Sequence, residues 1–93
     1  MRLISITPSN RKDKKMVAIF EDPKRTVHFG MKGSTTYIDD KDQARRKAYL
    51  DRHRENERWN NPITPGALAR HILWGDSTSV KKNIADFKKR FNL

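Results

Sequence analysis

The sequence contains no cysteine and has only four glycines and four prolines among 93 residues. Without cysteine, the chain has no disulfide, no cysteine-based zinc site and no thiol chemistry, which suits a reducing compartment. The longest apolar run, residues 16–20, is far shorter than the roughly 20 residues of a membrane-spanning helix. The N-terminus also lacks the apolar centre of a signal peptide. We therefore expect an intracellular protein that has no membrane partner.

Length and composition indicate one small domain. A chain of 93 residues with 34% hydrophobic and 34% charged residues can build one core of modest stability. We interpret residues 1–15 as an N-terminal strand and basic loop extension, and residues 16–93 as a single compact basic domain.

The charge is strongly positive, because 21 Lys and Arg stand against 11 Asp and Glu and give a formal net charge of +10. Such a surplus resists self-association and attracts polyanions. It predicts nucleic acid as the partner, with double-stranded DNA favoured, and gives no reason to expect a small-molecule substrate, a cofactor or a metal. A solvated surface that serves solubility is the alternative explanation.

The first part of the chain has the alternation and turn residues of β-structure. Residues 1–7 alternate weakly and predict an edge strand, which the basic loop 11–15 follows. Residues 16–21 and 26–29 are β-prone on either side of the turn 22–25, so they predict a hairpin.

Three helices are predicted after the hairpin. The first is capped by Asp39 or Asp40 and runs to about Asn56, because residues 41–54 contain neither glycine nor proline. The second begins at Thr64-Pro65 and ends at Gly75 in the left-handed conformation.

The last helix is capped by Asp76, Ser77 or Ser79 and has the clearest helical periodicity in the chain. These elements make an α+β fold, in which a two- or three-stranded antiparallel sheet precedes three helices. The predicted core consists of Phe20, Phe29, Tyr49, Leu68, Ile72, Leu73, Ile84, Phe87 and Phe91.

Basic residues in the 11–15 loop, on the first helix and near the C-terminus form the leading candidate site. Phosphate binding needs only positive charges within reach of the backbone, so affinity would fall steeply with salt. The candidate nucleic-acid-binding residues are Arg11, Lys12, Lys14, Lys15, Lys32, Arg45, Arg46, Arg52, Arg54, Lys81, Lys82, Lys88 and Lys89.

Two further patterns have both a functional and a structural explanation. Gly30 and Gly33 flank Lys32 and could let backbone amides approach phosphate, but a turn or bulge explains them better. The aromatic residues could stack on bases, as in single-strand binders, although core packing is the better explanation for them. These aromatic residues are Tyr37, Tyr49, Trp59 and Trp74.

An enzymatic interpretation uses the histidines. His53, His71 and Asn60 or Asn61, with Glu55 or Glu57 nearby, could form the His-Asn-His set of a small metal-dependent nuclease. The spacing is not diagnostic, and His71 precedes an apolar stretch where a boundary position explains it better. We therefore do not predict an enzyme, and we predict no catalytic or metal-ligating residue.

Several short motifs occur in a specific order between residues 16 and 93. They include Val27-His28-Phe29-Gly30, the stretch 45–54, Trp59-Asn60-Asn61-Pro62 and the stretch 72–78. In this order they resemble an uncharacterised family of small basic proteins from nucleocytoplasmic large DNA viruses of algae and protists, with relatives in protist genomes. The resemblance implies a viral origin but no activity, and it does not extend to residues 1–15.

The functional prediction combines the charge with this resemblance. We expect a small basic protein that binds nucleic acid largely independently of sequence and is associated with a genome or a virion. The alternative is a minor structural component of a virion or capsid that bridges proteins. The two differ because a DNA binder needs its charge on one continuous face, whereas a bridging protein needs complementary contacts with virion proteins.

Overall fold

A three-stranded antiparallel sheet followed by helices forms the structure, which is a computed structural model that describes residues 1–55 and 57–93. Asn56, the predicted end of the first helix, lies outside the described residues. The elements are β1 (Arg2–Pro8), β2 (Lys14–Glu21), β3 (Arg25–Met31), α1 (Tyr37–Asp40), α2 (Gln43–His53), α3 (Pro65–Leu68) with a π-helical segment (Ala69–Leu73), and α4 (Val80–Phe91). The predicted α+β class is therefore confirmed.

The strands pair in the order β1-β2-β3, so β2 is central. β1 pairs with β2 from Arg2 to Pro8, with a shift in register between Leu3 and Ser5. Alternation places Leu3, Phe20 and the other core residues of the sheet on the side that faces the helices. The N-terminal strand is thus part of the same sheet and contributes to the core.

The region of the first predicted helix differs from its prediction, because α2 lies within the predicted segment and a separate short helix, α1, precedes it. α1 is capped by Thr36, whose backbone N–H donates to the Asp39 carboxylate at 2.8 Å. Lys41 then takes the left-handed conformation at φ 56° and ends α1. Asp42, and not Asp39 or Asp40, caps α2 by accepting hydrogen bonds from the first-turn amides.

The start of the next helix agrees with its prediction. The Thr64 hydroxyl accepts from the Ala67 amide at 3.2 Å, and Pro65 occupies the first helical position. After Leu68 the helix widens into the π-helical segment, in which the Trp74 amide donates to the Ala69 carbonyl at 3.0 Å.

Gly75 does not adopt the left-handed conformation, so that prediction is wrong. The glycines with positive φ among the described residues are Gly30 and Gly33. Gly75 is buried, and a Cβ atom there would lie 2.4 Å from the His71 carbonyl oxygen and 2.7 Å from Asn83 Cγ. Close packing, not backbone handedness, therefore requires glycine at this position.

α4 begins at the cap Ser79, one of the three predicted, whose hydroxyl accepts from the Lys82 amide at 3.2 Å. The inward face carries the predicted apolar residues together with Asn83. Asn83 is 1% exposed and donates to the carbonyls of Ile72 and Ser77 at 2.9 and 2.7 Å. This buried amide connects α4 to the end of the π-helical segment.

The core agrees largely with its prediction. Ile84 and Phe91 are partly buried against the core, and the other seven predicted residues are buried. Buried hydrophobic residues that were not predicted are Leu3, Ala18, Tyr37, Ala67 and Trp74. In the described part of the chain, no helix has the length and apolar character that crossing a membrane requires.

Candidate nucleic-acid interface

The predicted phosphate-binding residues lie on three different parts of the fold. We name the first the sheet-end cluster, the second the α2 arginines and the third the α4 lysine face; Lys15 lies apart from all three. The sheet-end cluster consists of Arg11, Lys12, Lys14 and Lys32. The α2 arginines are Arg45, Arg46, Arg52 and Arg54. The α4 lysine face consists of Lys81, Lys82, Lys88 and Lys89.

The sheet-end cluster forms where the loop after β1 meets the end of β3. The Lys32 amide donates to the Asp13 carbonyl at 3.1 Å, and Lys14 is the register partner of Met31. Arg11 lies 3.5 Å from the Asp13 carboxylate in an exposed ion pair. The cluster therefore brings four basic residues and one acid to one end of the sheet.

Lys15 is occupied by contacts within the protein. Its ammonium group donates to the Ser34 carbonyl and lies 3.3 Å from the Asp39 carboxylate. The Thr36 backbone hydrogen bond is the main factor that lowers the pKa of Asp39, and Lys15 lowers it further. Lys15 thus connects β2 to the start of α1.

Two of the α2 arginines are also occupied. Arg45 donates to the Asp40 carboxylate and, at 3.1 Å, to the Thr35 carbonyl. Arg46 donates to the Gly75 carbonyl at 2.9 Å and to the Asp76 carboxylate at 2.7 Å. These bonds attach α2 to neighbouring segments, so both guanidinium groups hold the fold together.

The other two α2 arginines are more accessible. Arg54 lies 3.7 Å from the Asp51 carboxylate, and both side chains are about half exposed or more. Arg52 is exposed and makes no ion pair with any described residue. The accessible charge of α2 therefore lies near its C-terminal end.

The α4 lysine face is the most open of the three groups. Its four side chains are exposed and make no ion pair with the described residues. Residues seven apart share one side of a helix, so Lys81 lies above Lys88 and Lys82 above Lys89, with the exposed Ala85 between the two rows. Four unpaired lysines thus occupy about 12 Å of helix.

The acidic residue of α4, Asp86, lies at the edge of this face, one turn after Lys82 and one turn before Lys89. Asp86 also lines a small cavity of about 20 Å³ together with Asp76, Arg70 and Arg90. Burial is the main factor that lowers the pKa of Arg70, and the nearby Arg46 lowers it further. A neighbouring cleft is lined by Asp76, Asp86 and Arg90 together with Lys89, so the α4 lysine face borders this mixed-charge region at Lys89.

The two glycines near Lys32 have structural roles. Gly30 and Gly33 have φ values of 77° and 86°, which favour glycine. A Cβ atom at Gly30 would lie 2.8 Å from Leu73 Cδ1, whereas nothing lies within 4 Å of one at Gly33. Gly30 thus allows β3 to approach the helical layer, and Gly33 completes a turn.

Alanine substitutions separate these roles from phosphate binding. We expect Gly33→Ala to lower the free energy of unfolding by about 1 to 2 kcal/mol, the cost of the left-handed conformation. Gly30→Ala should cost about 2 to 3 kcal/mol, because it adds overlap with Leu73. Urea unfolding measures both values, and binding of folded Gly33→Ala to DNA should equal that of the wild type. Weaker DNA binding by this variant would instead support backbone contact with phosphate.

The histidines of the nuclease interpretation have separate partners. His53 Nδ1 lies 2.9 Å from a Glu57 carboxylate oxygen, and His71 Nε2 lies 3.2 Å from the Trp59 carbonyl. Burial is the main factor that lowers the pKa of His71 below its usual 6.5. Across residues 1–55 and 57–93, no group of three or more His, Asp or Glu side chains could hold a metal ion.

Three of the four aromatic candidates for base stacking are buried. Tyr49 and Trp74 stack on each other with their ring centroids 4.3 Å apart and nearly parallel, and Tyr37 is also buried. Trp59 is only partly buried, and the Arg70 guanidinium lies 5.3 Å from its ring centroid. Sequence position did not distinguish the two tryptophans, since both are at helix ends.

Residues 4–53, which include most of the sheet together with α1 and α2, match the model of a family described as "Family of unknown function (DUF5754)". The chain belongs to this family. No curated protein and no solved structure matches it significantly.

The DUF5754 match includes residues 4–15, which the viral resemblance omitted. It also includes the sheet-end cluster and all but Arg54 of the α2 arginines, whereas the α4 lysine face lies outside it. The viral origin stays a prediction.

Proposed function

We propose that this DUF5754 protein binds nucleic acid through its backbone phosphates, with little dependence on sequence. The α4 lysine face is the main contact, and the sheet-end cluster is a second one. The observation that supports this proposal is the exposure of four lysines on one side of α4, none of which forms an ion pair with the described residues.

The chemistry of the α4 lysine face favours phosphate contact over base recognition. Lysine is a compact point charge with flexible donors, whereas base recognition in a groove uses bidentate side chains such as Arg, Asn and Gln. The exposed surface between the lysines is Ala85, which has no polar group. Binding would therefore be driven by release of counterions from the polymer and would depend strongly on salt.

Fluorescence anisotropy with a labelled duplex at several salt concentrations tests the proposal. Each phosphate contact contributes about 0.9 to the slope of log K against log salt concentration. Replacing Lys81 and Lys88 by glutamine should therefore weaken binding and reduce the magnitude of the slope by about 2.

A matched control removes two positive charges elsewhere. Lys24→Gln with Lys41→Gln changes the net charge equally, at an exposed turn and at the end of α1. We expect this pair to leave the slope nearly unchanged. Equal effects of the two pairs would mean that net charge alone attracts DNA, and wild-type affinity that does not respond to salt would contradict the proposal.

A further inference from the structure

A surface cleft of about 520 Å³ lies just after α2, and none of its lining residues belongs to the α4 lysine face. It is lined by Arg54, Glu57, Arg58, Trp59, Asn60 and Asn61. These six side chains comprise one indole, two guanidinium groups, two amides and one carboxylate. This combination differs from the lysines of α4, because it contains groups that can contact a base as well as a phosphate.

The indole at this cleft is held in place by hydrogen bonds. Trp59 Nε1–H donates to one carboxylate oxygen of Glu57 at 3.0 Å, and the other oxygen lies 2.9 Å from His53 Nδ1. Both oxygens of the carboxylate in the cleft are therefore already engaged. A ring fixed in this way loses little conformational freedom when a planar ligand stacks on it.

The contacts of Trp59 leave part of its surface available. Arg70 lies over the ring but is not among the residues that line the cleft, so the cleft meets the indole at another part of its surface. Arg58 is exposed and forms no ion pair with the described residues, while Asn60 and Asn61 are exposed amides. The Asn61 side-chain oxygen accepts from the Ile63 amide at 3.3 Å, which leaves its NH2 group to donate. The cleft thus has one aromatic surface, the unpaired cation of Arg58 and two side-chain amides.

We propose that this cleft binds one unpaired nucleotide, with the base stacked on Trp59. The amides of Asn60 and Asn61 contact the edge of the base, and Arg58 contacts its phosphate. The inference rests on the proposed function, because it assumes that the ligand is a nucleic acid. It adds that the protein recognises single-stranded segments or ends at this cleft. A continuous duplex does not fill the cleft, because its bases are already stacked and paired.

Intrinsic fluorescence gives a readout specific to this cleft. The chain has two tryptophans, and Trp74 is 7% exposed and stacked on Tyr49, so ligand quenching should come from Trp59. The probes are adenosine monophosphate, a ten-nucleotide single strand and a blunt duplex of the same sequence. We expect quenching by the single strand, weaker quenching by the mononucleotide at high concentration, and none by the duplex.

Variants connect the quenching to affinity. Trp59→Leu should lower single-strand affinity about 5- to 150-fold, the range for loss of one stacked base, while duplex affinity stays unchanged. Arg58→Gln should reduce the magnitude of the single-strand salt slope by about 0.7. Trp59→Phe retains an aromatic ring and should bind nearly as well without quenching, which keeps the test valid even if the leucine variant does not fold.

The outcomes separate the two proposals. The cleft proposal is overturned if anisotropy detects single-strand binding without tryptophan quenching. It is also overturned if Trp59→Leu and Arg58→Gln leave that binding unchanged. Either result leaves the proposal of phosphate binding intact. Quenching by the duplex equal to that by the single strand also overturns the cleft proposal. Quenching by the single strand, combined with duplex binding that does not respond to salt, supports the cleft and contradicts the proposed role of α4.

Discussion

Asn83→Leu is expected to lower the free energy of unfolding by about 3 to 5 kcal/mol, because each buried polar group left without a partner costs about 1 to 3 kcal/mol. The Asn83 amide donates to the carbonyls of Ile72 and Ser77 and accepts from the Ser77 amide at 3.1 Å. Leucine has a similar volume but satisfies none of these groups. Few domains of this size have more than about 15 kcal/mol to lose.

Urea unfolding followed by circular dichroism measures this effect as a lower midpoint with an unchanged slope. Gln43→Leu is the control, because it makes the same kind of change at an exposed position in the first turn of α2. We expect the control to change stability by less than about 0.5 kcal/mol. Equal midpoints for Asn83→Leu and the control would show that the three bonds add nothing to stability.

Gly75→Ala is expected to destabilise the protein by about 4 kcal/mol. Overpacking a filled site costs about 1 to 3 kcal/mol, and displacement of a buried amide adds to it. The added methyl group would lie 2.4 Å from the His71 carbonyl oxygen and 2.8 Å from Asn83 Oδ1. Because a backbone atom is one of the two, rotation of a side chain cannot remove the overlap.

A double-mutant cycle tests the physical reason for the Gly75 effect. If the methyl group acts partly by displacing the Asn83 amide, then Gly75→Ala should cost less in an Asn83→Ala background than in the wild type. Gly33→Ala is the matched control, since its added methyl group meets nothing within 4 Å. If the effects of the two substitutions are additive, the whole cost of Gly75→Ala comes from the overlap with the His71 carbonyl. If Gly75→Ala lowers the free energy of unfolding no more than Gly33→Ala does, the prediction is contradicted.

Local sequence patterns predicted much of this fold. The hairpin of β2 and β3 follows from two β-prone segments around a turn, and α4 follows from apolar residues repeated at helical spacing. The Thr64-Pro65 pair located the start of α3, because capping hydroxyl and proline act within a few residues. These signals are local, and tertiary contacts did not override them.

The break between α1 and α2 could not be predicted from local patterns. The residues around the break include Asp39, Asp40 and Asp42, each of which can cap a helix, so the sequence did not decide which of them does. No glycine or asparagine marks Lys41 for the left-handed conformation. The contacts that accompany the break come from distant parts of the chain, such as Lys15 at Asp39, 24 residues away. The requirement for glycine at position 75 also depends partly on a distant contact, since an added Cβ atom would meet Asn83 of α4 as well as the His71 carbonyl four residues away.

Prediction of the candidate site had the same limit. Composition predicted a basic surface, but which cations stay accessible depends on tertiary partners. Arg46 bonds to groups 28 to 30 residues away and so is held within the protein, whereas the lysines on the outward side of α4 are exposed. Trp59 and Trp74 both lie near helix ends, although Trp59 follows charged residues and Trp74 follows Ile72-Leu73. The structure shows that Trp74 is buried and that Trp59 lines a cleft.

The π-helical segment has a consequence for comparing relatives of this chain. Its wider turn, closed by the bond from Trp74 to Ala69, accommodates one residue more than an α-helical turn. A relative with a regular α-helix here would align with a single-residue gap inside the helix, not in a loop. An alignment that forbids such a gap would pair Gly75 and its neighbours with the wrong positions.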